Sequence, residues 1–169
     1  MSAPALVTDP VVLAAIDALQ LRYIEALDDK DMNAWLATFA AQPDSAYFLT
    51  TRENFDDNLP GGLIHDDCYA RLEDRVNFVT RIWAGVYQDY QPRHFVQRLR
   101  CTALGNGEYD VKSNFTMIFT PSDTGRTIVF TAGTYLDRVV LGADGTAAFR
   151  TKRVVNDSRA LEQYLVYPV

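Results

Sequence analysis

Four long segments in the second half of the chain have the apolar–polar alternation of β-strands, and they restrict the possible folds most strongly. They cover residues 94–104, 108–120, 126–141 and 146–156, and only short polar stretches separate them. Asn106-Gly107, between the first two, is a turn pair suited to positive φ and therefore predicts a hairpin. Strands of this length with short connections predict an antiparallel meander that exposes one face and buries the other.

The first half of the chain predicts helices. Asp9-Pro10 is a strong helix start, and helical spacing of apolar residues continues to about Leu27. Asp31 is the expected cap of a short second helix, and a third helix is predicted from about Asp67 until Pro92 ends it. One strand over 45–51 and a long polar loop over 52–67 lie between the second and third helices. This order predicts a single α+β domain over residues 1–169, with its helices on one face of the sheet.

The charge and the N-terminal sequence argue against several classes of protein. The formal net charge is −6, from 16 basic and 22 acidic residues, so nucleic acid and an anionic membrane surface are not the expected partners. The first twenty residues lack the basic opening of a signal peptide, and no segment has the roughly 18 apolar residues of a membrane span. Only two cysteines occur, which predicts reduced thiols and a cytoplasmic protein.

The potential metal ligands are few and poorly spaced. His65, Cys68, His94 and Cys101 are the chain's only histidines and cysteines. A zinc site would need tight pairs at both ends, whereas the last two are separated by six residues of a predicted strand. We therefore expect this chain to hold no metal.

General acid–base chemistry is harder to dismiss. His94 at the head of a strand, Asp28 at a helix end and Tyr135 on another strand would suffice for dehydration or isomerisation if they converged in an apolar pocket. The alternative is that each has a structural role, and that His94 merely opens its strand and hydrogen-bonds a carboxylate or a neighbouring chain. The sequence shows no nucleophile motif and no nucleotide-binding loop.

Basic side chains gather on two strands, near 93–100 and near 150–153. Simple alternation places Arg98 and Arg100 on one face of their strand, and Arg150 and Lys152 on one face of theirs. Such surfaces are either solvated or interfacial, because arginine is enriched in protein interfaces. The apolar tail over 164–169 is expected to pack on its own sheet or on another chain. The interface candidates are Arg93, His94, Arg98, Arg100, Arg150 and Tyr167.

The order of these residues resembles a known family. The resemblance is carried by residues in every part of the chain: Tyr23, Glu25, Leu27, Asp28, Trp35, Phe39, Tyr47, Asp74-Arg75-Val76, Arg93-His94, Val96, Phe130, Gly133, Tyr135, Asp137, Arg153-Val154-Val155 and Asp157. The chain resembles the small (β) subunit of aromatic-ring-hydroxylating dioxygenases over nearly its whole length. The loop RENFDDNLPGGLI is most similar to small subunits of the salicylate, anthranilate and terephthalate group. Many members have Ser-Asn where this chain has Gln97-Arg98, so the subgroup and the substrate stay open.

The resemblance implies a cystatin-like cone, in which N-terminal helices pack on a curved, mainly antiparallel sheet. It also implies a large (α) subunit as partner, usually assembled as three α and three β subunits with β–β contacts. That partner would carry the Rieske 2Fe–2S cluster and the mononuclear Fe(II), and the small subunit would be structural, with neither catalytic residues nor cofactors. The expected function is thus a subunit of an oxygenase that hydroxylates an aromatic acid with dioxygen and electrons from NAD(P)H. The alternative is a free-standing cone-fold dehydratase or isomerase around His94.

Overall fold

A computed structural model describes residues 5–159, 161 and 164–169. The helices are α1 (Pro10–Asp28), α2 (Met32–Leu36), α3 (Arg52–Asp56) and α4 (Tyr69–Asn77), and α4 continues into a π-helical turn (Phe78–Ile82). The strands are β1 (Ala46–Thr51), β2 (Ile64–Asp66), β3 (Tyr90–Gly105), β4 (Glu108–Pro121), β5 (Ile128–Leu141) and β6 (Ala147–Asn156). Among the described residues, no helix combines the length and the apolar character needed to cross a bilayer.

The six strands form one sheet in the order β2-β1-β6-β5-β4-β3. All neighbours are antiparallel except β1 and β6, which pair in parallel. The predicted meander is confirmed for β3 to β6, and Asn106 and Gly107 both have positive φ, 53° and 74°, as the hairpin requires. The predicted helix starts are also confirmed, because Asp9 accepts a hydrogen bond from the Val11 N–H and Asp31 accepts one from the Ala34 N–H.

Helices α1 and α2 cover one face of the sheet, here called the inner face, and the opposite face is called the outer face. The inner face is largely aromatic: the ring of Tyr23 on α1 meets Tyr135 and Phe149 edge-on, at centroid distances of 6.1 and 5.5 Å. On β4 the odd positions from Val111 to Phe119 are buried, as alternation predicts. The tail also packs inward, since Val166 and Val169 are buried in the same core.

Gly133 shows how tightly this core is closed. A Cβ at this position would lie 2.1 Å from the Val155 carbonyl oxygen and 2.9 Å from the Phe115 ring. Only glycine lets β5 and β6 approach at this point without displacing the stacked ring of Phe115.

Four local predictions are wrong. The loop over 52–67 contains α3 and β2, and the third helix ends well before Pro92, which instead lies inside β3. Proline is tolerated there because β3 is an edge strand, where not every N–H has a ladder partner. His94 therefore does not open the strand but lies within it. Finally, Arg98 and Arg100 do not share a face of β3, and Arg150 and Lys152 do not share a face of β6, because each strand contains a β-bulge.

The bulges explain that failure. Arg98 pairs with Ser113 and Arg100 with Lys112, so Leu99 is the extra residue and the two arginines face opposite sides of the sheet. On β6 the register passes from Phe149 to Thr151 and leaves out Arg150. Lys152 consequently points into the core, whereas Arg150 lies at the surface and pairs with Asp44.

Candidate functional site

His94 and Asp28 meet where the C-terminal end of α1 reaches the edge strand β3. The His94 Nδ1 lies 2.6 Å from the Asp28 Oδ1, and the His94 backbone N–H donates to both carboxylate oxygens, at 3.1 and 3.2 Å. One carboxylate thus satisfies a ring nitrogen and an edge-strand N–H at the same time. The His94 side chain is only 1% exposed and that of Asp28 is 14% exposed. The sequence prediction named both residues, and the structure brings them into contact.

The contact between His94 and Asp28 can be interpreted in two ways, as an acid–base site or as a structural clamp. A carboxylate that holds one ring nitrogen of a histidine is part of many acid–base sites, because it fixes the ring and leaves the other nitrogen to act. In this chain the other nitrogen, Nε2, is buried and has no hydrogen-bond partner among the described residues. The same contacts also work as a clamp that ties the end of α1 to β3. Two sizeable surface depressions, of about 650 and 600 Å³, are lined by other residues.

Tyr135, the third acid–base candidate, lies on the inner face of β5. Its ring is stacked on Phe115 at a centroid distance of 4.4 Å, and its hydroxyl is buried with no hydrogen-bond partner among the described residues. Burial raises its pKa well above 10, and the carboxylates of Asp137 and Asp28 raise it further. The hydroxyl therefore stays protonated, and the ring acts as part of the aromatic core.

Lys152 and Asp137 form a buried ion pair that the sequence did not predict. The Lys152 Nζ lies 3.1 Å from the Asp137 Oδ2, and the Gln20 amide donates to the same oxygen at 2.6 Å. Both charged side chains are 0% exposed. Burial lowers the pKa of Lys152 to about 8 and raises that of Asp137, while their mutual attraction opposes both shifts. The sequence hides the pair, because Lys152 stands in a basic stretch with Arg150 and Arg153, and Asp137 is followed by Arg138.

Three aromatic rings surround the Lys152 ammonium group. Its Nζ lies 3.7 Å from the ring centroid of Tyr135, and 4.3 Å from those of Tyr23 and Phe149. Cation–π contacts of this kind are strongest when the cation is desolvated, as it is here. The cluster therefore joins α1, β5 and β6 inside the core, where Lys152 and the three rings are all 0% exposed.

The potential metal ligands do not gather. Among residues 5–159, 161 and 164–169, no three histidine, cysteine or acidic side chains lie close enough together to hold a metal ion. Both cysteines are free thiols, and burial raises the pKa of Cys101. The residues present do not fit an iron or zinc centre.

The six interface candidates differ in their partners within the chain. The Arg98 guanidinium donates to Asp17 at 2.7 and 3.0 Å, and Arg150 donates to Asp44. Arg93 donates to the carbonyl oxygen of Pro92 at 2.9 Å, and His94 is held by Asp28. The Tyr167 hydroxyl lies 3.0 Å from that of Tyr87. Arg100 has no ion pair with any described residue, so it is the arginine of this set most free to contact another molecule.

Comparison with known proteins gives a consistent result. The family model of the ring-hydroxylating β subunit matches residues 22–163. The chain is 34% identical over 151 residues to the anthranilate 1,2-dioxygenase small subunit of Burkholderia cepacia, covering 89% of this chain and 90% of the relative. It is 27% identical over 156 residues to the β 2 subunit of the terminal oxygenase component of terephthalate 1,2-dioxygenase from Comamonas sp., covering 91% of this chain and 96% of the relative.

A solved structure shares the fold. It is a β subunit assigned to an aromatic-ring-hydroxylating dioxygenase from Novosphingobium aromaticivorans, with a TM-score of 0.77 and 26% identity over 89% of this chain and 92% of that chain. The likeness and the observed layering of helices on a curved sheet confirm the predicted cone-shaped α+β fold.

Proposed function

The chain belongs to the family of ring-hydroxylating β subunits, and from this premise we propose that it is the structural small subunit of an aromatic-acid oxygenase. The observation that carries the proposal is the 34% identity to an anthranilate 1,2-dioxygenase small subunit along 89% of this chain. The terephthalate relative also takes its name from an aromatic acid. The proposed complex hydroxylates such an acid with dioxygen and electrons derived from NAD(P)H, in the cytoplasm.

The proposed partner is a large subunit, with three large and three small subunits and contacts between the small ones. The Rieske cluster and the mononuclear iron belong to the large subunit in this proposal. The scatter of His65, Cys68, His94 and Cys101 over the described chain supports that assignment, because these ligands do not converge on one point.

We also propose that the chain contributes no catalytic residue. The support comes from the way each acid–base candidate is held inside the fold. Asp28 uses its two oxygens on His94, and the hydroxyl of Tyr135 is sealed in the aromatic core. His94 and Asp28 then act as a clamp between α1 and β3. The residues that face outwards on β3 and β6 act in subunit contacts.

The test is to produce this chain with and without its proposed large subunit. We expect the two to elute together from a size-exclusion column, and the complex to hydroxylate an aromatic acid, with anthranilate and terephthalate assayed first. Iron should be found in the complex and in the isolated large subunit, but not in this chain alone. Failure of the two chains to associate, or turnover by this chain alone, would reject the proposal.

A further inference from the structure

Six residues on the outer face form a continuous row across the whole sheet. Each is the direct cross-strand neighbour of the next, one residue from every strand, so the row runs perpendicular to the strands. From β2 to β3 its members are His65, Phe48, Arg153, Leu136, Lys112 and Arg100. All six are exposed or half-buried, in contrast to the buried residues of the inner face. We call this set the basic row.

The β-bulge at Leu99 is what completes the basic row. Without the bulge, Leu99 would pair with Lys112, and Arg100 would follow Arg98 onto the inner face, where Arg98 meets Asp17 of α1. With it, Arg100 lies beside Lys112 on the outer face. Bulges of this kind commonly re-aim one side chain at a functional position.

The cations of the basic row have no acidic partner in the part of the chain that the structure describes. Arg100, Lys112 and Arg153 make no ion pair with any described residue, although acidic residues outnumber basic ones by 22 to 16 in the chain. The carboxylate nearest the row on β4, Asp110, is held by Arg138 at 2.9 Å. The row therefore presents positive charge that no acidic residue of the described ranges neutralises.

Two depressions and an aromatic ring give the basic row its shape. A groove of about 650 Å³ includes Arg100, Lys112 and Leu136, and a second of about 430 Å³ includes Arg153 and Phe48. The Arg153 guanidinium lies 5.4 Å from the ring centroid of Phe48, within the range of a cation–π contact. Apolar contact area thus alternates with charge along the row.

We propose that the basic row binds a short, extended acidic segment of the large subunit, an inference that rests on the proposed function. Neighbouring strands are about 4.8 Å apart, so Arg100 and Arg153 are separated by roughly 14 Å, the length of about four extended residues. Carboxylates at the two ends of such a segment would meet these cations and Lys112. An apolar side chain between them would lie on Leu136.

An acidic protein segment fits better than the other anionic partners. A nucleic acid would meet a chain whose net charge is −6, with only three unneutralised cations in the row. A second copy would bring a net charge of −6 to a chain of the same charge, and three of its carboxylates, those of Asp44, Asp110 and Asp17, are already paired with an arginine of their own chain.

The test measures binding of the purified chain to the immobilised large subunit at low and high salt. In the row variant, Lys112→Glu and Arg153→Glu are combined; in the control variant, Arg81→Glu and Arg126→Glu change the net charge equally at exposed positions away from the row. We expect the row variant to bind about tenfold more weakly and with less dependence on salt, because two attractive exposed pairs are lost and charge reversal adds repulsion. The control should bind within about twofold of wild type.

Each other outcome counts against the inference. Equal binding of the row and control variants would overturn it and leave the proposed function intact, whereas wild type that does not bind the large subunit would reject both. If the row variant does not keep its wild-type melting temperature, the milder pair Lys112→Gln and Arg153→Gln replaces it. The inference would also be overturned if short duplex DNA displaced the large subunit at a lower concentration than decaglutamate does. It would be overturned too if the row variant lost its self-association but still bound the large subunit like wild type.

Discussion

Replacing Lys152 by methionine should lower the free energy of unfolding by about 3–5 kcal/mol at neutral pH, because it leaves a buried carboxylate without its counter-ion. The Lys152 Nζ and the Asp137 Oδ2 are 3.1 Å apart, and both side chains are 0% exposed. Methionine keeps much of the volume and can pack against the surrounding rings, so lost packing is the minor part of the cost. Among the described residues, the Gln20 amide is then the remaining hydrogen-bond donor to the Asp137 carboxylate.

The pH dependence of this loss separates charge burial from packing. Burial already raises the pKa of Asp137 in the wild type, and the nearby ammonium group lowers it, so the pKa must rise further in the variant. The folded variant then binds a proton that the unfolded chain, with an ordinary carboxyl pKa, has released. The Lys152→Met variant therefore loses stability as the pH rises through the raised pKa. Its free energy of unfolding differs less from that of wild type at pH 5 than at pH 7.5.

The assay is urea denaturation followed by circular dichroism at both pH values, for wild type, Lys152→Met, Asp137→Asn and the double variant. Removing the second charge should restore part of the stability, so the double variant should lose less than the sum of the single losses, by about 1–3 kcal/mol. A loss below about 1 kcal/mol for Lys152→Met, or the same loss at both pH values, would refute the reasoning that the buried charge dominates.

Further predictions concern packing, the tail and metal content. Gly133→Ala should lower stability by at least the 1–3 kcal/mol typical of overpacking, since the new Cβ would meet the Val155 oxygen at 2.1 Å, and thermal denaturation would show this. Tyr47→Phe removes a hydroxyl that bridges the Val169 N–H and oxygen at 3.1 and 3.0 Å, and should cost about 1–3 kcal/mol, measured in the same way. The purified chain alone should be colourless and free of stoichiometric iron or zinc, and elemental analysis that finds about one tightly bound metal per chain would contradict this.

Much of the fold is predictable because its signals are local. Caps such as Asp9 and Asp31 act on the next few residues, and the Asn106-Gly107 turn needs nothing beyond its own backbone preferences. The alternation along β4 also predicts which of its side chains are buried. Those features follow from a window of a few residues, and the structure confirms each of them.

The remaining features depend on the register in which the strands pair, and a few neighbouring residues do not determine that register. One extra residue at Leu99 separates the faces of Arg98 and Arg100, and another at Arg150 turns Lys152 into the core. The parallel pairing of β1 with β6 joins segments about a hundred residues apart, and it is what aligns Phe48 with Arg153. Both the buried ion pair and the basic row therefore become visible only once the strands are paired.

The contact of His94 with Asp28 lies between these two cases. The sequence offered both residues as candidates because of their chemistry, but it did not predict which of the adjacent carboxylates Asp28 and Asp29 would meet the histidine. The choice is made by the length of α1, which ends at Asp28 beside the edge strand. A shift of α1 by one residue would present Asp29 to the histidine instead.

The most direct test of the structural role measures the yield of the complex and the turnover per assembled complex for His94→Ala, with Asp28→Asn as the matched change on the other side of the contact. A clamp between α1 and β3 predicts that both variants lower the yield severalfold, since each lost hydrogen bond costs about 0.5–1.5 kcal/mol, or more where a buried group is left unpaired. Complexes that still form should turn over at nearly the wild-type rate. A general base predicts the opposite, normal assembly with turnover reduced by roughly 10² to 10⁴, and that result would contradict the assignment of this chain as a non-catalytic subunit.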